Sequence, residues 1–445
     1  MQAYRRKRKF NPAQFLVIAY FTVIVIGTFL LMLPIATTGE GGLDFLDAFF
    51  TASSATCVTG LMVLDFTNTF SLFGQVIIML LIQIGGIGIM TFSTIIALLL
   101  GRKIGLKGRL LLKDDLDNIQ MAGLVRLVKS VLFLTLIIEG FGAIPLFISL
   151  IRDYPPGKAL YWAIFHSVSA FNSAGFALFG ENLAGFIINT PLVSISIMIL
   201  VILGSLGFSV LVELYTKKQK KAFTLQTKIV LSFTFILIAF AFLYFFLLEY
   251  NNQATIGNLA LGEKLQAAFF YAVNSRTAGF NVLAVEQVHN ATLFLTIILM
   301  FIGASPGSTG GGIKTTTFGV IAITVWNVIR GKRDIEIFQR RLPERLIIKA
   351  FVITLLAIFL ILFVTIVLSV TEEASFMSLL FETVAAFGTV GLSTGITASL
   401  SVIGRLLIIV TMFIGRVGPL TLVVALAEQR QKLPYRYPEE EIMVG

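Results

Sequence analysis

Apolar runs long enough to cross about 30 Å of hydrocarbon recur along the chain near residues 15–33, 72–100, 130–151, 190–214, 229–249, 290–303, 346–370 and 402–427. This pattern predicts eight membrane spans, the sixth cut short. Between the members of each consecutive pair lies a shorter segment, near 45–56, 160–171, 264–274 and 376–387. Each is too short to span and is predicted to be a re-entrant half-helix. The expected fold class is all-α and polytopic.

The four short segments carry one phrase: AFFTASSATCVTGL from Ala48, AIFHSVSAFNSAGF from Ala163, AFFYAVNSRTAGF from Ala268 and LLFETVAAFGTVGL from Leu379. In each, an aromatic half-helix is followed by small polar residues, a glycine and a bulky apolar residue. The glycines are Gly60, Gly175, Gly279 and Gly391, spaced by 115, 104 and 112 residues. A second landmark follows 24 to 29 residues later, as IGGIG at Ile84, LGSLG at Leu203, IGASPGSTGGG at Ile302 and IGRVG at Ile414. Two landmarks in one order, four times over, mark an internal repeat. Each unit holds two crossings, so all four start on the same side, and parallel units around an axis along the membrane normal are expected. The divisions expected are a basic tail at 1–14, the first repeat at 15–100, a linker and second repeat at 101–215, the third repeat at 216–328 with an intramembrane loop at 303–317, a linker and fourth repeat at 329–430, and a tail at 431–445.

Composition agrees: 57% of the 445 residues are hydrophobic and 13% charged, with mean hydropathy +0.92, so water is not the main solvent. The single cysteine, Cys57, excludes an internal disulfide, and two histidines leave no zinc or iron–sulfur constellation. The start of the chain reads as an uncleaved first span. Residues 1–14, 101–129, 214–228, 329–349 and 428–445 hold 27 of the 34 basic side chains. Lys and Arg collect in cytoplasmic loops, which predicts a plasma-membrane protein with both termini in the cytoplasm. The net charge of +10 is thereby explained without a nucleic-acid partner.

Non-helical backbone at membrane depth is tolerated only where it is buried in protein or faces a water-filled path. Four extended segments converging on one axis supply such a path. Their carbonyl oxygens can replace an ion's hydration shell, and the half-helices direct the negative ends of their dipoles toward it. Glycine suits the strand, since it takes backbone angles closed to other residues; a plain turn or helix contact is the alternative for any single one. One pore for a monovalent cation is the function these features imply.

On TCVTGL, NSAGF, SRTAGFN, GTVGLST and the interruption GASPGSTGGGIKTTT, the chain resembles the Trk/Ktr/HKT superfamily of K⁺ transporters over nearly its whole length. With eight spans and no additional N-terminal pair, it is most similar to the bacterial KtrB-type membrane subunits. The resemblance implies a homodimer seated on a cytosolic, KtrA-like ring of nucleotide-binding regulatory subunits. It implies a selectivity filter of Val58, Thr59, Gly60, Ser173, Ala174, Gly175, Thr277, Ala278, Gly279, Thr389, Val390 and Gly391. Glycine at all four filter positions favours K⁺, since a serine at the first resembles a Na⁺-preferring design; a Na⁺-preferring or Na⁺-coupled transporter of the same architecture is the alternative. The strands depart from the fourfold TVGYG of K⁺ channels, which implies fewer strong sites. No cofactor is expected, K⁺ being the transported ion and Na⁺ an activating or coupling ion in the alternative.

Residues 303–317, with five glycines and Pro306, are not expected to form a continuous lipid-facing helix. The resemblance makes this loop, with Gly303, Gly307, Gly310, Gly311, Gly312 and Lys314, a gate below the filter together with Arg416. An intramembrane arginine is a functional candidate by default, its natural partners here being loop carbonyls; fixing helix packing is the alternative. GSTGGGIKT has an Ile before its Lys and follows a span, so it is not a phosphate loop. Arg276 is expected to point behind the filter toward an acceptor such as Glu382, or else to reach outer water. Asp65, Glu181 and Glu286 are read as an acidic vestibule, with a solvated loop face as the equal alternative. His166 reads as a packing residue, and no carboxylate pair or Ser-His-Asp set has spacing suited to an enzyme.

Overall fold

A computed structural model describes residues 12–39, 41–88, 91, 124–179, 190–216, 222–280, 282–332 and 334–426. The charge argument for orientation rests largely on residues outside these, as does Glu181.

The chain passes through four similar series of elements. The first comprises α1 (Pro12–Leu31), α2 (Phe45–Cys57), the single turn α3 (Phe66–Thr69) and α4 (Leu72–Ile87). The second comprises α5 (Leu124–Leu150), α6 (Pro156–Phe171), α7 (Pro191–Leu206) and α8 (Phe208–Thr216). The third comprises α9 (Leu225–Glu249), α10 (Leu261–Thr277), α11 (Asn290–Phe301) and α12 (Thr315–Ile329). A small hairpin, β1 (Glu336–Ile337) and β2 (Arg340–Arg341), leads into α13 (Glu344–Thr371), α14 (Phe376–Gly388), α15 (Val402–Val417) and α16 (Pro419–Leu426). Hydroxyl caps start several of these helices: Ser71 accepts the Gly74 N–H, Thr224 the Thr227 N–H, Ser375 the Ser378 N–H and Ser401 the Gly404 N–H.

Among the described residues, α1, α5, α9 and α13 are long and apolar enough to cross a membrane. Large apolar side chains stand on their outer faces, with Phe235, Phe359 and Val370 75, 71 and 83% exposed. A row of this kind is stable against lipid and not against water. The protein is a multi-pass membrane protein.

The expected continuous spans at 72–100, 190–214 and 402–427 require correction. Interruption is not confined to the third repeat. Helix α4 ends at Gly88, α7 and α8 meet at Gly207 with a bend of 99°, and α15 gives way to α16 at Gly418. These three glycines have φ of 89°, 93° and 92°, a left-handed conformation that stops a helix and that glycine takes without the Cβ penalty. In the third series the non-helical segment runs from 302 to 314, shorter than the expected 303–317, because helix resumes at Thr315.

Packing is cyclic. Each long helix lies on the half-helix of its own series: α1 on α2, α5 on α6, α9 on α10 and α13 on α14. Each later helix lies on the half-helix of the next: α4 on α6, α7 on α10, α11 on α14, and α15 back on α2. An ion pair of 2.6 Å between Arg405 and Asp47 reinforces that last contact. The half-helices are thus the innermost elements, and most of their C-terminal residues are buried.

Candidate functional site

The half-helices end in four short segments that meet. Val58-Thr59-Gly60, Ser173-Ala174-Gly175, Thr277-Ala278-Gly279 and Thr389-Val390-Gly391 are all buried. Val58, Ser173 and Thr389 are left-handed, with φ of 58°, 59° and 50°. The third segment differs: α10 continues through Thr277 and only then unwinds. The glycines have φ of 87°, 72°, 66° and 84° in chain order.

A side chain on any of these glycines would strike the next segment around a ring. A Cβ on Gly60 would meet the Ala174 carbonyl, one on Gly175 the Ala278 carbonyl at 2.7 Å, one on Gly279 the Val390 carbonyl, and one on Gly391 the Thr59 carbonyl. The fourth contact returns to the first segment, so the segments form one closed ring. Thr59, Ala174, Ala278 and Val390 are each 0% exposed, and among the described residues no N–H or O–H donates to their carbonyls. Buried carbonyls without partners are rare in folded proteins and mark places where something other than the chain serves them. The residues therefore fit a bare cation.

Behind the ring each half-helix braces its own segment with different chemistry. Ser54 Oγ accepts the Gly60 N–H at 3.1 Å. Ser169 donates to the Phe176 carbonyl at 2.8 Å. Asn274 clasps Phe280, accepting its N–H at 2.9 Å and donating to its carbonyl. His166 and Glu382 both stand nine residues before their ring glycine, and each accepts the N–H three residues after it: Leu178 at 3.0 Å and Thr394 at 3.2 Å. His166 Nδ1 faces the Trp162 carbonyl at 2.6 Å, which sets the tautomer, so His166 is a brace as well as a packing residue. Glu382 also takes the hydroxyls of Ser393 and, at 3.1 Å, Thr397. The sequence analysis missed these roles, although an acidic residue within an apolar half-helix was the signal available. Glu382→Ala strands buried donors, and the expected outcome is a loss of about 1–3 kcal/mol, checked by denaturant or thermal unfolding of the purified protein.

The expected Arg276–Glu382 contact requires correction. Arg276, 2% exposed, does lie behind the ring, but it donates to the Gly303 carbonyl and the Thr315 hydroxyl, both at 3.3 Å. Glu382 is occupied by its own loop. Asp65 caps α3, its Oδ1 accepting the Thr67 N–H at 2.9 Å, which favours the local reading over the vestibule. Glu286 lies near Gly395, on the segment after the fourth filter strand.

Below the ring, the 302–314 segment crosses from its own series to the second and fourth. Its Ser305 and Thr309 N–H groups donate to the Ser205 and Gly204 carbonyls at 3.0 and 3.3 Å, and its Gly307 carbonyl accepts the Phe208 N–H at 2.8 Å. Thr309 Oγ1 donates to the Phe171 carbonyl at 3.2 Å and lies 3.5 Å from the Ser173 hydroxyl. The Gly311 N–H donates to the Thr389 hydroxyl at 2.8 Å. A Cβ on Gly310 would approach Thr277, and one on Gly303 would strike the Gly311 carbonyl. The segment therefore touches the first residue of three of the four ring segments. Lys314 Nζ donates within the segment, to the Gly310 carbonyl at 2.8 Å. Arg416 donates to the Thr309 carbonyl of the segment and to the Gly85 and Gly86 carbonyls of the first series. One guanidinium thus joins the break of the fourth series to that of the first and to the loop of the third.

The family model described as TrkH, cation transport protein, matches residues 4–433. The chain belongs to this family. It is a cation transporter of the membrane and not an enzyme. It is 44% identical over 437 residues to the Ktr system potassium uptake protein B of Bacillus subtilis, covering 98% of this chain and 97% of that one. It is 36% identical over 447 residues to the potassium/sodium uptake protein NtpJ of Enterococcus hirae, covering 99% of both. The crystal structure of the potassium transporter TrkH from Vibrio parahaemolyticus matches with a TM-score of 0.72 at 17% identity, over 96% of this chain and 87% of that one. At that identity the likeness speaks for the fold alone.

Proposed function

We propose that this chain is the K⁺-conducting membrane subunit of a Ktr-type uptake system, with one pore at the axis of four repeats and eight crossings. The observation that carries the reading is the closed ring of four glycine segments with buried, unpartnered carbonyls. Carbonyls on a common axis replace the hydration of a monovalent cation. Residues Val58 to Gly60, Ser173 to Gly175, Thr277 to Gly279 and Thr389 to Gly391 form the filter. The 302–314 loop, including Gly303, Gly307, Gly310, Gly311, Gly312 and Lys314, closes the path below it, held by Arg416. The repeat divisions read from the sequence, with cytoplasmic tails and linkers, belong to this proposal. So does assembly as a homodimer on a cytosolic nucleotide-binding ring; the name of the B. subtilis relative, protein B of a system, supports only that further components take part.

Uptake of Rb⁺ and Na⁺ into liposomes holding the purified chain, with and without a regulatory subunit, tests this. The expected result is Rb⁺ uptake that exceeds Na⁺ uptake and rises with the subunit. Equal uptake of both ions, or none, would sink it. A second reading, Na⁺-coupled transport, is favoured by the potassium/sodium relative; it requires Rb⁺ uptake to depend on a Na⁺ gradient in the same liposomes.

A further inference from the structure

Away from the ring, a cleft of about 330 Å³ opens on the outer surface between the first and second series. Its rim includes Leu80, Leu136 and Ile164, all exposed, and its inner lining includes Gln83 and Glu139. Glu139, in α5, is 7% exposed. Gln83 Nε2 donates to its Oε2 at 3.2 Å, and Asn172 Nδ2 to its Oε1 at 3.0 Å. These are neutral amides. The ion pairs among the described residues are Lys332 with Glu336, Arg341 with Asp334 and Arg405 with Asp47, so among these residues Glu139 pairs with no cation.

An unpaired carboxylate at membrane depth is costly, and a cation that reaches the carboxyl group removes that cost. Two accepted hydrogen bonds leave about half of a carboxylate's acceptor positions free. Apolar walls with one oriented polar group, in a volume at the low end of about 300–1,000 Å³, are the usual make-up of a small-molecule site. We propose that this cleft binds a lipophilic amine, its ammonium on Glu139 and its hydrocarbon along Leu80, Leu136, Gly140 and Ile164.

Depth selects the source. Glu139 stands 11 residues from the α5 end at Leu150 and 15 from Leu124, or about 16 and 22 Å along the helix. The ammonium of a phospholipid headgroup, held at the interface, does not reach it, whereas a single-chain amine entering from the lipid does.

The test is binding of radiolabelled octylamine to the purified full chain, with unlabelled octylamine and octanol as competitors. Saturable binding displaced by octylamine and not by octanol is expected. Glu139→Gln, which keeps shape and one acceptor, should weaken it by about tenfold or more, the usual scale for losing a buried charge partner. A Cβ at Gly140 would meet nothing within 4 Å, so Gly140→Leu folds and fills the cleft while leaving the carboxylate in place; it should abolish binding. No saturable binding to the wild-type chain, or equal binding in both variants, overturns the site. So does binding lost on dimer formation, which would assign the cleft to a second copy of this chain. The readout is binding and not flux, so a failure here is distinct from a failure of the filter reading.

Discussion

Gly279→Ser lowers the preference for K⁺ over Na⁺ on the order of tenfold or more, about 1.4 kcal/mol in relative site energy. Two effects act in the same direction. The φ of 66° costs a non-glycine residue roughly 1–2 kcal/mol. The new Cβ also strikes the Val390 carbonyl and comes within 3.0 Å of Gly391 Cα in the adjoining strand. Relief requires one strand to move, and a carbonyl ring that has moved no longer fits the smaller difference between the two ions. Gly60→Ser should act likewise, through the Ala174 carbonyl. Gly262→Ala is the control, at the start of the half-helix that leads to Gly279 but with open space at its Cβ; it should leave ion preference unchanged. Relative Rb⁺ and Na⁺ uptake measures all three, and an unaltered ratio in both serine variants would count against the filter assignment.

Arg416→Ala raises flux in the absence of a regulatory partner and reduces the further gain when the partner is added. The guanidinium donates to the Thr309, Gly85 and Gly86 carbonyls, and hydrogen bonds to a charged group contribute about 1.5–3 kcal/mol each. Losing one such bond shifts a two-state equilibrium by on the order of tenfold or more toward the open form. Shortening Gly307–Gly312 removes the obstruction itself and should raise basal flux further. That segment holds its place through backbone bonds to Gly204 and Phe208 and through Thr389, so it is displaced as a unit. If both variants assemble normally and keep wild-type basal Rb⁺ flux with full partner dependence, the loop is not the gate.

The four ring glycines were legible in the sequence because their requirement is local. A left-handed backbone crowded on every side admits only glycine, so the same letter had to appear four times, and the aromatic half-helix before it repeated with it. The eight apolar runs were legible for a similar reason, since lipid selects composition over any run long enough to meet it. Other features depend on partners far along the chain. Gly88, Gly207 and Gly418 stood in plain view within the second landmark, yet apolar residues on both sides read as unbroken helix. At Gly207 the break is fixed by the neighbouring loop, whose Pro306 carbonyl would lie 2.5 Å from a Cβ there and whose Gly307 carbonyl accepts the Phe208 N–H. Arg276 turned to Gly303 and Thr315, not to Glu382, because Glu382 is already held by the segment after its own filter strand. Arg416 reaches a carbonyl 331 residues away in sequence, and the unpaired Glu139 meets its amides only where α4, α5 and α6 come together. Sequence alone determined that long apolar runs meet lipid and that a glycine closes each recurring phrase, since those are properties of single residues and short runs. Tertiary structure decided which buried charge serves which carbonyl, because a hydrogen bond is made by whichever partner the packing brings within about 3 Å.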